Sequence, residues 1–132
     1  MQVVLARAPG PITHAFFAIA TEAHDDDGLP NTLEHLIFLG SEAYPYKGVL
    51  DMAANRLFAR GTNAWTATDH TAYTATHAGA EGLLALLPVY ADHVLFPTIT
   101  AAGYTTEVHH VNGEGADAGV VVRACGCSAH VL

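Results

Sequence analysis

The residues with the most chemistry in this chain are Asn31-Thr32-Leu33-Glu34-His35. On a helix, side chains three and four positions apart share a face, so Asn31, Glu34 and His35 converge on one spot. With histidine at the first of these positions, the pattern would hold a metal ion between two imidazoles. Glu34 would then stand beside the metal-bound water, ready to take its proton. The amide at position 31 is a poor, neutral donor beside an imidazole nitrogen. The same five residues support a second reading, because asparagine is among the best N-cap residues. Asn-x-x-Glu imitates a capping box, in which the glutamate reaches back to the amide of the cap.

Either reading needs a helix here, and the surrounding pattern supplies one. "NTLEHLIFLG" places Leu33, Leu36, Ile37 and Gly40 on one helical face; Pro30 sharpens the start and Gly40 can end the helix. Before it, "QVVLA" (Gln2 to Ala6) and "HAFFAIATE" (His14 to Glu22) are rich in β-branched and aromatic residues and read as strands separated by the turn "RAPGP". "YKGVLDMAANRLFARG" reads as a second helix, with Val49, Leu50, Ala53 and Leu57 at helical spacing and a stop at Gly61. "TNAWTATDHTAYTATHAG" suits a hairpin. Ala80 to Pro97 carries a helical stripe of Leu83, Leu84, Leu87, Ala91, Val94 and Leu95, with Pro88 accommodated as a kink or in a first turn. Thr98 or Thr100 can cap a further helix, and the closing "VVVRACGCSAHVL" has no clear period. The class expected from this mixture is α+β, in one domain.

Composition narrows the function. Five Lys and Arg against 13 Asp and Glu give a formal charge of −8, which repels phosphate backbones and anionic membranes. Nucleic acid and membrane are therefore not expected as partners. Apolar residues reach 51% but no run is long enough to cross a bilayer, and no targeting segment is evident, so a cytoplasmic location is expected. Cys125 and Cys127 lie too close for an ordinary structural disulfide and read as free thiols. Of the nine histidines, most are expected to cap, hydrogen-bond or lie half buried.

Taken together, "DDDGLPNTLEHLIFLGSEAYPYKGVLDMAANR", "GTNAWTATDHTAY" and "TEVHHVNGEGADAGVV" resemble the N-terminal domain of the insulinase/pitrilysin family of zinc metallopeptidases, the group with the inverted zinc motif. The resemblance runs from about Val3 to Val122. It implies a partial peptidase N-terminal domain over 1–122, an antiparallel sheet packed with helices, followed by a divergent tail over 123–132. Only about the first half of one such unit is expected in this length.

Carried over residue by residue, the resemblance makes Glu34 the general base and His35 a zinc ligand. Asn31 stands where the family has its other histidine ligand. Glu114 becomes the distal ligand and Glu107 its supporting neighbour; a separation of seven on one helix would turn both the same way. Asn63, Ala64 and Trp65 fall on the family's substrate-binding edge strand, whose backbone pairs with an extended peptide. The implied function is zinc-dependent hydrolysis of peptides, with zinc binding weakened and catalysis impaired by Asn31. The alternative is a non-catalytic relative that binds a peptide or partner chain along the same strand. A companion domain or chain would complete the fold.

Overall fold

The computed structural model describes residues 1–22, 28–57 and 59–119. His24, Cys125, Cys127 and the tail expected at 123–132 lie outside the described residues.

A three-stranded antiparallel sheet organises the chain. β1 (Ile12–Ala20) and β2 (Ala59–Thr66) flank β3 (His70–Ala78), giving the order β1-β3-β2. Register runs from Ile12 opposite Ala78 to Ala20 opposite His70, and from Ala59 opposite His77 to Thr66 opposite Thr71, with an irregularity between Ala59 and Thr62. Because side chains alternate along a strand, this register sorts the sheet into two unlike faces. Phe17, Thr71, Tyr73, Ala75, His77, Ala64 and Thr66 point one way. Ile12, Phe16, Ala72, Thr74, Asn63 and Trp65 point the other.

The first face carries α1 (Leu29–Ile37), α2 (Val49–Arg56) and α3 (Ala80–Leu95), while α4 (Ala101–Val108) packs on α1 and leads into a small hairpin of β4 (His110–Val111) and β5 (Asp117–Ala118). The core combines Ile37 of α1, Leu50 and Ala54 of α2, Tyr73 and Ala75 of β3, and Leu86, Tyr90 and Val94 of α3. Tyr90 is the pin that joins helix to sheet. Its ring stacks on Phe17, with centroids 5.0 Å apart, and its hydroxyl donates to the Thr74 carbonyl at 3.0 Å. At the start of α3, a Cβ on Gly82 would lie 2.7 Å from the Leu57 carbonyl oxygen, so that close approach to the end of α2 requires glycine. His77 and His93 are core residues too, each with Nδ1 against a backbone carbonyl, Leu57 and Val89 respectively.

Several sequence expectations are corrected. Gln2 to Ala6 is not a strand; Val3, Val4 and Leu5 are exposed and pair with nothing in a sheet, since β propensity without a partner strand gives no ladder. Asn31 is not the N-cap of α1: that position is Gly28, at φ 70°, with Pro30 in the first turn, where its missing N–H costs nothing. Leu33 is exposed, and Thr32 and Glu34 are buried in its place. Gly61 does not stop α2, which ends at Arg56, but lies within β2. The buried stripe of α3 is Leu86, Tyr90, His93 and Val94 rather than the one led by Leu84 and Leu87; both stripes have helical spacing, and the sheet selects the one bearing Tyr90. Pro88 sits inside that helix. The hairpin of β2 and β3 forms as expected, and Thr100 caps α4 by accepting from the Gly103 amide.

Leu86 is fully buried at the centre of this core. Leu86→Ala is expected to cost about 2–5 kcal/mol through lost burial and the cavity left behind, read as a drop in the unfolding free energy by denaturant titration. Burial, chiefly, pushes the phenols of Tyr73 and Tyr90 above their ordinary range, helped by Glu34 for Tyr73 and by Tyr73 and then Asp51 for Tyr90. A folded-state value above the unfolded one favours the folded state fully below the unfolded value, about pH 10, and the advantage is lost as pH rises past it. The part of the phenolate absorbance that is lost in Tyr73→Phe or Tyr90→Phe is therefore expected to appear together with loss of ellipticity, rather than before it, in an alkaline titration.

Candidate functional site

α1 is held against the sheet by its own polar face. Its first bond runs from the Thr32 amide to the Gly28 carbonyl at 2.9 Å, reinforced by the Thr32 hydroxyl on the same oxygen. This start directs Glu34 inward, where it is 7% exposed beneath β2. A carboxylate in that position needs donors. Thr66 of β2 supplies one, with its hydroxyl 2.5 Å from Glu34 Oε2. Asn31 supplies the second, with its Nδ2 donating to the same oxygen at 3.4 Å. Thr71 stands 3.5 Å from the Thr66 hydroxyl and extends the cluster across the sheet to Thr21.

The amide of Asn31 is thus turned with its nitrogen toward the glutamate. Its oxygen, Oδ1, is buried and has no hydrogen-bond partner among the described residues. His35, one helical turn beyond Asn31, is half buried on the same helix. The structure therefore brings Asn31, Glu34 and His35 together, as their spacing requires.

It does not bring Glu107 and Glu114 together on one helix. α4 ends at Val108, and Glu114 lies exposed on the turn between β4 and β5. Asn112 creates that turn by accepting from the amides of Glu114 and Ala116 at 2.9 and 3.0 Å. Glu107 remains on α4 and pairs with Lys47 at 3.2 Å. The expectation that both glutamates share a helical face is corrected, because the Asn-Gly-Glu-Gly run favours a turn over helix. His109 is paired with Asp117 at 3.1 Å, and His110 Nδ1 lies 2.9 Å from the Thr106 carbonyl.

Asn63, Ala64 and Trp65 lie on β2, an edge of the sheet. Ala64 points to the helix side, while Asn63 and Trp65 stand exposed on the opposite face. Sequence reasoning missed two parts of this region. Thr66 is the partner of Glu34, and no local signal reveals a contact across 32 positions. Asp69 and His70 close the β2–β3 hairpin and reach back to Trp65; their place in the middle of the hairpin sequence was the available signal.

Helices packed on one face of an antiparallel sheet, with Glu34 and His35 on the first of them, make an α+β unit, and comparison with known proteins gives its family. The profile of the insulinase family (peptidase family M16) matches residues 20–119, and the chain belongs to that family. It is 58% identical over 121 residues to an uncharacterized protein of Caenorhabditis elegans, covering 92% of this chain and 12% of that protein. An uncharacterized protein of Saccharomyces cerevisiae is 54% identical over 112 residues, covering 84% of this chain and 11% of the relative. The mitochondrial presequence protease of Gibberella zeae is 34% identical over 94 residues, covering 71% of this chain and 9% of the protease. The chain thus spans about one-eighth or less of these relatives. No helix among the described residues is long and apolar enough to cross a membrane.

The family's resemblance implies zinc, so the donor set can be tested against it. Among the described residues no three His, Cys, Asp or Glu side chains gather as a metal-holding group. At α1 the glutamate oxygen is taken by Thr66 and Asn31, and the second imidazole position carries an amide aimed at that glutamate. These residues as arranged do not fit a zinc ion.

They do form a buried polar network. Thr66→Val is expected to destabilise the chain by about 1–3 kcal/mol, because it removes the donor to a buried carboxylate. In a Glu34→Met background the same change should cost far less, and a double-mutant cycle by denaturant unfolding measures the difference.

Proposed function

We propose that this chain is the peptide-engaging part of an insulinase-family protein whose α1 site, as it stands, does not hydrolyse the peptide it holds. The observation that carries the reading is the Asn31 amide: its nitrogen donates to Glu34 while its oxygen stays buried and unpartnered. A general base must take a proton from water, and Glu34 here is engaged by Asn31 and Thr66 instead. His35 alone is a single imidazole. With Glu114 on an exposed turn, the roles of His35 and Glu114 as zinc ligands belong to a site that needs histidine at position 31 and a different placement of the distal glutamate.

Peptide engagement rests on β2. It is an edge strand next to the helix site, and an extended segment pairing with its backbone would form another antiparallel or parallel rung without demanding a particular sequence. Asn63 and Trp65 would flank that segment from one face of the sheet. The much longer relatives favour completion of the fold by other segments of the same protein or by a companion chain.

Metal analysis after dialysis and a quenched-peptide cleavage assay test the reading on the unmodified chain and on Asn31→His. The unmodified chain is expected to retain far less than one zinc per molecule and to cleave nothing. Asn31→His places a second imidazole one turn from His35 and is expected to raise zinc retention at least tenfold, in keeping with the roughly 10- to 100-fold effect of even supporting groups at metal sites. Stoichiometric zinc with cleavage that Glu34→Gln abolishes, in the unmodified chain, overturns the proposal.

A further inference from the structure

On the side of the sheet away from the helices, three side chains form a hydrogen-bonded line that the site at α1 does not use. Asp69 Oδ1 lies 2.7 Å from His70 Nδ1, and His70 Nε2 lies 3.3 Å from the indole Nε1 of Trp65. Indole N–H can only donate. His70 Nε2 must therefore be the acceptor, which leaves the proton on Nδ1, where Asp69 receives it. The carboxylate thus selects the tautomer that can hold the tryptophan. The two rings meet edge to face, 6.4 Å between centroids and 86° between planes.

The backbone fixes this line as well. Ala67 N–H donates to the His70 carbonyl at 2.8 Å, closing the hairpin, and Thr21 N–H donates to the Asp69 carbonyl at 3.1 Å, tying the turn to the end of β1. The imidazole nevertheless remains open to solvent, with its side chain 40% exposed, so protons reach it freely. Of the other titratable groups nearby among the described residues, Glu22 follows the end of β1, His14 lies farther along the outer face of β1 bonded to Thr76, and Glu34 is on the opposite side of the sheet. Asp69 is the only carboxylate bonded to His70 among the described residues, and the imidazole holds its carboxyl below the usual range.

We propose that Asp69 and His70 are positioning residues forming a proton-controlled clasp that holds Trp65 in place beside the peptide-binding edge of β2, and that protonation of His70 releases it. The peptide part of this inference rests on the reading of β2 given above. An imidazole that takes a second proton donates from both nitrogens, and Nε2–H then faces Trp65 Nε1–H, donor against donor. The indole must turn away. Trp65 and Asn63 share the face beside which an added strand would lay alternate side chains, so releasing the indole removes one wall of that shelf.

Trp65 is the single tryptophan of the chain, and its emission reports the clasp without any peptide. Emission of the full chain is followed from about pH 8 to about pH 5, the interval in which imidazoles change charge. Anisotropy of a rhodamine-labelled, end-blocked peptide of alternating leucine and serine is read at both ends of the range. The expected result is a single-proton emission transition, with the Kd of the peptide rising about two- to tenfold at the acidic end, the worth of one neutral hydrogen bond. His70→Gln keeps an acceptor for the indole but cannot titrate, so both the transition and the change in Kd should vanish. Asp69→Ala removes the carboxylate that selects the indole-holding tautomer, so the emission at about pH 8 should already move toward that of the released indole. An emission that does not titrate, or that titrates equally in His70→Gln, overturns the clasp. A titrating emission beside a Kd that does not change overturns its control of binding. A titrating emission with no peptide bound at either pH supports the clasp and overturns instead the peptide reading of β2.

Discussion

The structure depends on covering one face of a short antiparallel sheet. Three strands bury little by themselves, and a sheet of this size gains stability from what packs on it. Tyr90 supplies the central link, because the same side chain stacks on β1, bonds to β3 and belongs to α3. Once α3 is pinned there, α2 and α1 fill the space along β2, and the positions of Glu34 and Thr66 relative to each other follow. Without that packing, a helix as short as α1 would be marginal in water.

Burial then decides what Glu34 can be. A carboxylate taken out of water is costly unless donors meet it. In a metal site of the kind the family's motif describes, charge on the ion offsets that cost. Here an amide and a hydroxyl do so. Asn31 contributes an N–H and leaves its oxygen without a partner. The helix keeps Asn31, Glu34 and His35 on one face, while its hydrogen bonds are those of a structural network.

β2 connects the two kinds of chemistry in this domain. Thr66 and Trp65 are adjacent, yet strand alternation sends them to opposite faces. Thr66 holds the glutamate under the sheet, and Trp65 stands above it, bonded through His70 to Asp69. Between the faces runs a backbone edge that pairs with no further strand among the described residues. On the function proposed above, a peptide pairing there would sit within reach of both faces.

Spacing within the sequence determined that Asn31, Glu34 and His35 share a helix face, that Ala80 begins a long apolar helix, and that Asn63 to Trp65 lie on an extended segment entering a hairpin. These are local patterns, set by the 3.6- and 2-residue periods. The several motifs in order also made the family legible, as the profile match over residues 20–119 bears out. Tertiary structure decided the rest. Leu84 and Leu86 head equally good helical stripes until the sheet selects the one with Tyr90. Gln2 to Ala6 has the composition of a strand but no partner strand among the described residues. Glu107 and Glu114 are seven apart, but Asn112 turns the chain between them. Thr66 meets Glu34 from 32 positions away, and no periodicity encodes a contact made only when a strand and a helix are packed face to face.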